Sequence, residues 1–138
     1  RKDGHEFGST TGRPRRCGWF DAVVARYAIH LNGIDSIAIT KLDVLDRFDA
    51  VRVCTGYKYK GKVYNEMPAD LEILENGEPV YIEFEGWNQS TVEAENFNQL
   101  PDNAKRYIDV LQSILGTGFL IISTGPERNQ TIHQGTLF

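Results

Sequence analysis

The hydrophobic pattern of the chain predicts two amphipathic helices. Apolar residues recur at helical spacing from Gly18 to Asn32, and Gly33 follows where a helix usually ends. His30 falls in the last turn, where the helix dipole favours a positive charge. The residues expected to face the core are Trp19, Phe20, Val23, Val24, Tyr27, Ala28 and Leu31.

The second helix is predicted to open at Pro101, with Asp102 favourable in its first turn. Gly116 and Gly118 are expected to end it. Its apolar side consists of Ala104, Tyr107, Ile108, Leu111, Ile114 and Leu115.

Five stretches are predicted to be strands. Ile37–Lys41 and Phe119–Ile122 are short and apolar, and the second is typical of a strand buried on both faces. Ala50–Lys60 alternates, with Lys62–Tyr64 as its hairpin partner, and Val80–Phe84 is another strand. Because helix and strand alternate, the first strand is expected to lie parallel to a later one, which gives a mixed α/β (α+β) fold with a short mixed sheet.

The remaining segments predict loops within one domain. Residues 1–17 form a loop, 18–132 the α/β body and 133–138 a tail, and the pattern is weak from residue 127 onward. Residues 65–79 are expected to be loop, with an edge strand or turn at Leu71–Leu74, and 88–99 surface loop. Since Met67 is the only methionine and Arg1 comes first, an excised fragment is expected.

Composition narrows the class of protein. The chain has 138 residues, 41% hydrophobic and 25% charged, as in soluble globular domains. No apolar run approaches the roughly 20 residues that span a bilayer, so no membrane partner is expected. The net charge of −4 disfavours a nucleic-acid polymer as partner. Cys17 and Cys54 stand far apart outside any CxxC pair, which argues against zinc or a disulfide framework and suits a cytoplasmic protein.

Two patterns resemble catalytic motifs and are better explained by structure. Gly56 to Lys62 fits GxxxxGK, but Val63 stands where the phosphate loop needs Ser or Thr, so a hairpin turn at Gly61 is the preferred interpretation. Glu83 and Glu85 share one face of a strand, which is more typical of a solvated face than of a catalytic pair.

The end of the first apolar strand carries a candidate purine site. The two oxygens of Asp43 can accept from the adjacent N–H donors of guanine, while the methylenes of Lys41 lie against the base. Such charge-assisted bonds contribute about 1.5–3 kcal/mol each. A strand end followed by a helix cap is the structural alternative. If the last strand is a neighbour, the Ser123-Thr124-Gly125-Pro126 turn would form the other wall; otherwise it is merely a turn.

The first loop carries a candidate anion site. Thr10-Thr11-Gly12-Arg13-Pro14-Arg15-Arg16 sets two hydroxyls, a glycine and three guanidinium groups close together. Arginine binds carboxylates and phosphates through paired N–H donors, and glycine lets backbone N–H groups approach an anion. A solvated basic loop is the alternative.

Four segments in this order resemble the C-terminal third of adenylosuccinate synthetase, over about residues 4–132. The segments are EFGSTTGRPRR, GWFDAVVARYA, ITKLDVLD and ISTGPER. The resemblance implies formation of adenylosuccinate from IMP and L-aspartate with GTP hydrolysis, in purine nucleotide synthesis. It also implies magnesium, a cytoplasmic location and a homodimer. In that mechanism GTP phosphorylates the 6-oxygen of IMP, and the amine of aspartate then displaces phosphate.

The resemblance assigns roles to individual residues. It implies an aspartate- and IMP-binding loop of Ser9, Thr10, Thr11, Gly12, Arg13, Pro14 and Arg15. It implies a GTP site of Arg15, Lys41, Leu42, Asp43, Ser123, Thr124, Gly125 and Pro126. The catalytic aspartate and histidine, the phosphate loop and the magnesium ligands are expected outside this chain, so the fragment alone is expected to be inactive.

Two departures and two rival functions accompany the resemblance. Glu85 stands where proline is expected, and Gly116–Leu120 differs from the usual approach to the last strand. These two departures concern the local backbone conformation and not the ligand positions. The rivals are a stand-alone guanine-nucleotide-binding module and a structural or interaction fragment without a ligand.

Overall fold

The longest strand, β3 (Ala50–Tyr59), lies at the centre of the first of two sheets in the computed structural model, which describes residues 4–135. Short 3₁₀ helices occur at Leu42–Leu45 and Phe97–Gln99. In chain order the other elements are β1 (Phe20–Asp21), α1 (Ala22–Asn32), β2 (Ser36–Ile39), β3 (Ala50–Tyr59), β4 (Lys62–Tyr64), α2 (Leu71–Asn76), β5 (Glu78–Glu85), α3 (Asp102–Leu115), β6 (Gly118–Ser123) and β7 (Thr131–His133).

The first sheet places β3 between an antiparallel strand and two short ones. β5 pairs with β3 along almost its whole length, and β1 (parallel) and β4 (antiparallel) pair with its other edge. The β3–β4 turn is made by Lys60 and Gly61, both with positive φ (46° and 78°), as two-residue hairpin turns require. This geometry confirms the hairpin and the rejection of a phosphate loop.

The second sheet contains the strand pairing on which the candidate site depends. β2 and β6 are parallel neighbours, with Ile39 opposite Ile122, so the predicted parallel arrangement is confirmed. β6 carries one extra residue, a bulge opposite the Ile37–Ala38 step. β7 pairs antiparallel with the other edge of β6, and Ile132 lies in the core. The pattern gave no sign of β7, because three residues are too few to show alternation.

The two long helices differ in how well the pattern predicted them. α3 matches its prediction, from the buried face to the left-handed Gly116 that ends it. The prediction for the first helix was wrong at its start, since Asp21 caps α1 and Gly18 to Phe20 lie before it. It was also wrong about the core face: Val24 (44% exposed), Tyr27 (47%) and Leu31 (68%) point outward. The buried residues of α1 are Ala22, Val23 and Ile29, of which only Val23 was predicted to face the core.

Two further differences follow from local chemistry. The predicted turn or strand at Leu71–Leu74 is part of α2, because the Asp70 side chain accepts from the Glu72 N–H and caps a helix. β5 begins two residues earlier than predicted and includes Pro79, which an edge strand tolerates. Glu83 and Glu85 are exposed on β5, and Glu83 pairs with Arg52, as expected for a solvated face.

The core joins both sheets to α1 and α3. Its fully buried members include Leu42, Val51, Val53, Ile108, Leu111, Leu115, Ile122 and Ile132. Among residues 4–135, no helix has both the length and the apolar character that a membrane crossing requires.

Candidate functional site

The first part of the candidate site is the sharp turn after β2. The strand ends at Ile39, two residues before the predicted end, and Lys41 adopts the left-handed conformation (φ 62°, ψ 37°). A residue with a Cβ pays for this conformation, and such strain is concentrated at functional positions. The chain then enters the 3₁₀ helix Leu42–Leu45, anchored by the buried Leu42.

Asp43 lies on this 3₁₀ helix with one carboxylate oxygen left without a partner. Its Oδ1 is buried and has no hydrogen-bond partner among the described residues. Burial raises the pKa of Asp43 and nearby Asp46 adds to the rise, while the N–H groups of Asp43 and Val44 oppose it. A buried acceptor without a donor is costly, and donors from a ligand would satisfy it.

A second carboxylate, Asp46, fixes the other end of the same 3₁₀ helix. Asp46 is buried, and its oxygens accept from Trp87 Nε1 (2.8 Å), the Thr91 N–H (2.8 Å) and Thr91 Oγ1 (2.9 Å). Thr91 is fully buried, although the 88–99 segment was predicted to be surface loop. This cluster ties the loop after β5 to the helix that carries Asp43.

The second part of the site is the turn after β6. Ser123 Oγ donates to the Gly125 carbonyl (2.9 Å), and the Thr124 N–H donates to the Gln130 carbonyl (2.9 Å). Thr124 is fully buried. A Cβ on Gly125 would collide with the end of the Gln130 side chain, which would have to move away from the turn. These contacts hold Ser123 to Pro126 as one closed turn.

The parallel pairing brings both turns to one edge of the second sheet. Because Ile39 lies opposite Ile122, Thr40 and Lys41 leave the sheet beside Ser123. The 3₁₀ helix of Asp43 also contacts β6. A cleft of about 490 Å³ opens beside Asp43, lined by Asp43, Val44, Asp46, Arg47, Asn88, Gln89, Ser90 and Val92. The Ser123–Pro126 turn does not line this cleft.

The first loop forms a hairpin-like structure. Phe7 and Pro14 form a bridge, and the Arg15 N–H donates to the Glu6 carbonyl (3.0 Å). Two backbone hydrogen bonds of 2.8 Å close the tip. The Gly8 N–H donates to the Arg13 carbonyl, and the Gly12 N–H donates to the Gly8 carbonyl. Gly12 has a φ of 64°, which favours glycine. We call residues 6–15 the basic hairpin; its tip from Ser9 to Arg13 is exposed.

The basic hairpin is attached to the strand end through Glu6, a residue that the sequence did not single out. The Glu6 carboxylate pairs with Lys41 Nζ and, at 3.3 Å, with Arg15 Nη1. Lys41 Nζ also donates to the Gly4 carbonyl (2.7 Å). A smaller cleft of about 260 Å³ lies here, lined in part by Glu6 and Lys41. The only signal in the sequence was a carboxylate beside a strongly basic loop.

Comparison with known proteins identifies the family. A sequence profile described as "Adenylosuccinate synthetase" matches residues 1–132. The chain belongs to the adenylosuccinate synthetase family. The family's name denotes a ligase, so the fold and the family expected from the sequence are both confirmed.

Individual adenylosuccinate synthetases give the extent of the similarity. The chain is 51% identical over 132 residues to the enzyme of Geobacter sulfurreducens, covering 96% of this chain and 30% of the relative. It is 49% identical over 138 residues to that of Clostridioides difficile, covering all of this chain and 32% of the relative. The solved structure of the fully ligated enzyme from Plasmodium falciparum matches with a TM-score of 0.91 at 40% identity, over 98% of this chain and 33% of that one. The chain therefore spans about a third of the length of its relatives.

Proposed function

We propose that this chain forms the guanine- and aspartate-recognising part of an adenylosuccinate synthetase. In this proposal the complete enzyme joins IMP to L-aspartate with GTP hydrolysis, as a cytoplasmic homodimer. The chemistry of phosphoryl transfer is performed by residues outside this chain, which is inactive alone. The observation that carries the proposal is the pairing of β2 with β6, which brings the Asp43 turn and the Ser123–Pro126 turn to one sheet edge.

The charge of the Asp43 pocket supports guanine as the base. The unpartnered Oδ1 suits a buried N–H donor of a ligand, and guanine offers two adjacent donors to one carboxylate. Lys41, held at its ammonium end, presents its methylenes for contact with the flat base. We assign Ser123, Thr124, Gly125 and Pro126 as the other wall of the base slot because this turn leaves the same sheet edge, outside the cleft of about 490 Å³ beside Asp43. Leu42 anchors the Asp43 turn in the core.

The basic hairpin supports the role of binding the aspartate carboxylates. Ser9, Thr10 and Thr11 provide hydroxyls, Gly12 allows the tight turn of the tip through its positive φ, and Arg13 provides a guanidinium group at this exposed tip. Arg15 lies nearer the strand end, where it pairs with Glu6, and is assigned to GTP as well. Among residues 4–135 no group of three His, Cys, Asp or Glu side chains could hold a metal ion, so we assign no magnesium ligand here and no step depends on one.

The base assignment is tested in a chimera in which this chain replaces the matching segment of the Geobacter sulfurreducens enzyme. Asp43→Asn should lower kcat/KM for GTP about 100-fold, because two charge-assisted bonds are lost. Xanthosine triphosphate should become the better substrate, since an amide complements its N–H and 2-oxygen. The exposed Asp49 provides the control, and Asp49→Asn should change neither value. Unaltered GTP kinetics in Asp43→Asn would refute the assignment.

The hairpin assignment is tested in the same chimera with Arg13→Leu. Loss of the guanidinium group should raise the KM for aspartate at least tenfold and leave the KM for GTP within twofold. Arg52→Leu, which removes an exposed arginine on β3, is the matched control. An unchanged aspartate dependence would contradict the role of the hairpin.

The rival functions make different predictions for this chain by itself. A stand-alone nucleotide module would bind GTP in a calorimetric titration, and GTP would raise its melting temperature. A structural fragment would give neither signal, and the wild-type chimera would then form no adenylosuccinate.

A further inference from the structure

Glu6 occupies a position between two cations that belong to different parts of the candidate site. Its carboxylate pairs with Lys41 at the end of β2 and with Arg15 of the basic hairpin. The Glu6 side chain is only 22% exposed, whereas the side chains of Lys41 and Arg15 are 49% and 59% exposed. The anion is therefore the more enclosed partner, with one cation on each side.

The contacts of Glu6 restrict both of its neighbours. Lys41 Nζ is held by the Glu6 carboxylate and the Gly4 carbonyl, so the methylenes of Lys41 are fixed at their far end. Arg15 is held twice by the same residue, through its side chain and through its backbone N–H to the Glu6 carbonyl. Glu6 thereby connects Lys41 to Arg15 at the base of the hairpin.

The ion pairs are poorly placed to contribute much to folding. Pairs between half-exposed side chains stabilise proteins little, because water screens them and ordering long side chains costs entropy. Lys41, followed by Arg15, lowers the pKa of Glu6, so the carboxylate stays charged at neutral pH. What these contacts do determine is where two side chains of the site are held.

We propose that Glu6 is a positioning residue that couples the guanine slot to the aspartate-binding hairpin. This inference rests on the proposed function. GTP that packs against Lys41 favours the arrangement in which Glu6 also holds Arg15, and the hairpin is thereby ordered for aspartate. Binding of aspartate favours the same arrangement, so each ligand assists the other.

The test is Glu6→Gln in the chimera described above, with KM measured separately for GTP and aspartate. Both KM values should rise about fivefold or more, in the range of typical coupling between sites, and kcat should change less than twofold. The two variants described above act as references, because Asp43→Asn should raise only the KM for GTP and Arg13→Leu only that for aspartate. Glu6→Asp, which keeps the charge on a shorter side chain, should restore part of the loss.

Two controls separate positioning from folding. Glu66→Gln removes an equally charged residue that pairs with Arg26 at 3.1 Å and is 81% exposed, and it should leave both KM values unchanged. The melting temperatures of all variants are measured in parallel, and Glu6→Gln should stay within about 2 °C of wild type. The double variant Glu6→Gln/Lys41→Gln should affect the KM for GTP less than the product of the single changes, because both remove one ion pair.

The outcomes distinguish the two proposals. If Asp43→Asn or Arg13→Leu does not behave as predicted, the proposed function is overturned together with the inference. If those variants behave as predicted but Glu6→Gln raises one KM only, neither KM, or merely lowers the melting temperature, the coupling role of Glu6 is wrong and the proposed function stands.

Discussion

Lys41 combines a strained backbone with a side chain that has a proposed binding role. Its left-handed backbone sends the chain from β2 into the 3₁₀ helix, while its side chain reaches Glu6 and Gly4. Glycine would adopt this backbone without strain, but it would lack the methylenes that the proposed base contact uses. The strain is therefore retained at a position whose side chain has a proposed role in binding the base.

A pair of variants separates the strain at Lys41 from its side chain. Lys41→Gly and Lys41→Ala both remove the ammonium group and the methylenes, and they differ only in the Cβ. Lys41→Gly should be more stable than Lys41→Ala by about 0.5–1 kcal/mol, the strain relieved less the added freedom of the unfolded chain. Urea denaturation of this chain measures the difference. Equal stability would show that the turn relaxes in solution.

At the scale of elements, the Asp46 cluster determines how firmly the Asp43 helix is held. Asp46→Ala would leave the Trp87 N–H and two donors of Thr91 buried without an acceptor. Buried unpaired donors and a lost charged acceptor should lower the free energy of unfolding by about 3 kcal/mol. Thermal or urea denaturation tests this.

Asp49→Ala is the matched control for the Asp46 cluster. The Asp49 side chain is exposed and, among the described residues, its carboxylate accepts only a long bond from Asn88 Nδ2 (3.3 Å). Removing this carboxylate should change the free energy of unfolding by less than about 0.5 kcal/mol. Similar effects of the two substitutions would mean that the cluster does not anchor the 3₁₀ helix.

Elements with a strong local signal could be predicted from the sequence, whereas those defined by distant partners could not. α3 and the β3–β4 hairpin were predicted correctly because a buried face of helical period and a Lys60-Gly61 turn are local features. β7 was missed, since it exists only through its pairing with β6. The core face of α1 was misassigned because both of its sides carry apolar residues, and only tertiary packing decides between them.

The candidate site was predictable to a similar extent. Both polar turns follow apolar strands in the sequence, and their shared sheet edge follows from the parallel rule. The role of Glu6 was not predictable, because its two partners are 9 and 35 residues away along the chain. Likewise, nothing in the sequence around Asp46 indicates that its carboxylate is buried and hydrogen-bonded rather than exposed.

At the scale of the whole molecule, the partly buried carboxyl of Asp43 should lower the free energy of unfolding as the pH rises. Burial raises the pKa of this carboxyl in the folded chain, so between the unfolded and folded pKa values the folded state binds more protons. Its contribution to stability is therefore fully present below the unfolded pKa of about 3.9 and is lost as the pH rises through the folded pKa.

Asp43→Asn tests how much the charged Asp43 carboxylate destabilises the unliganded chain. The variant should melt above wild type at pH 7, and its advantage should shrink as the pH falls through the raised pKa of the folded carboxyl and be gone below about pH 3.9. Calorimetry at several pH values measures the difference. A wild-type chain that is more stable than Asp43→Asn at pH 7 would show that another group within the fold already satisfies the carboxylate.

The bulge in β6 shows that the direction of the turn after this strand depends on the number of residues in the strand. Successive side chains of a strand point in opposite directions, and the bulge absorbs the extra residue, so Ile122 still lies opposite Ile39 and stays in the core. A further residue inserted between Ile122 and Ser123 would shift the serine–glycine turn by one position relative to β2. The turn would then face away from Asp43, and the proposed base slot would lose one wall.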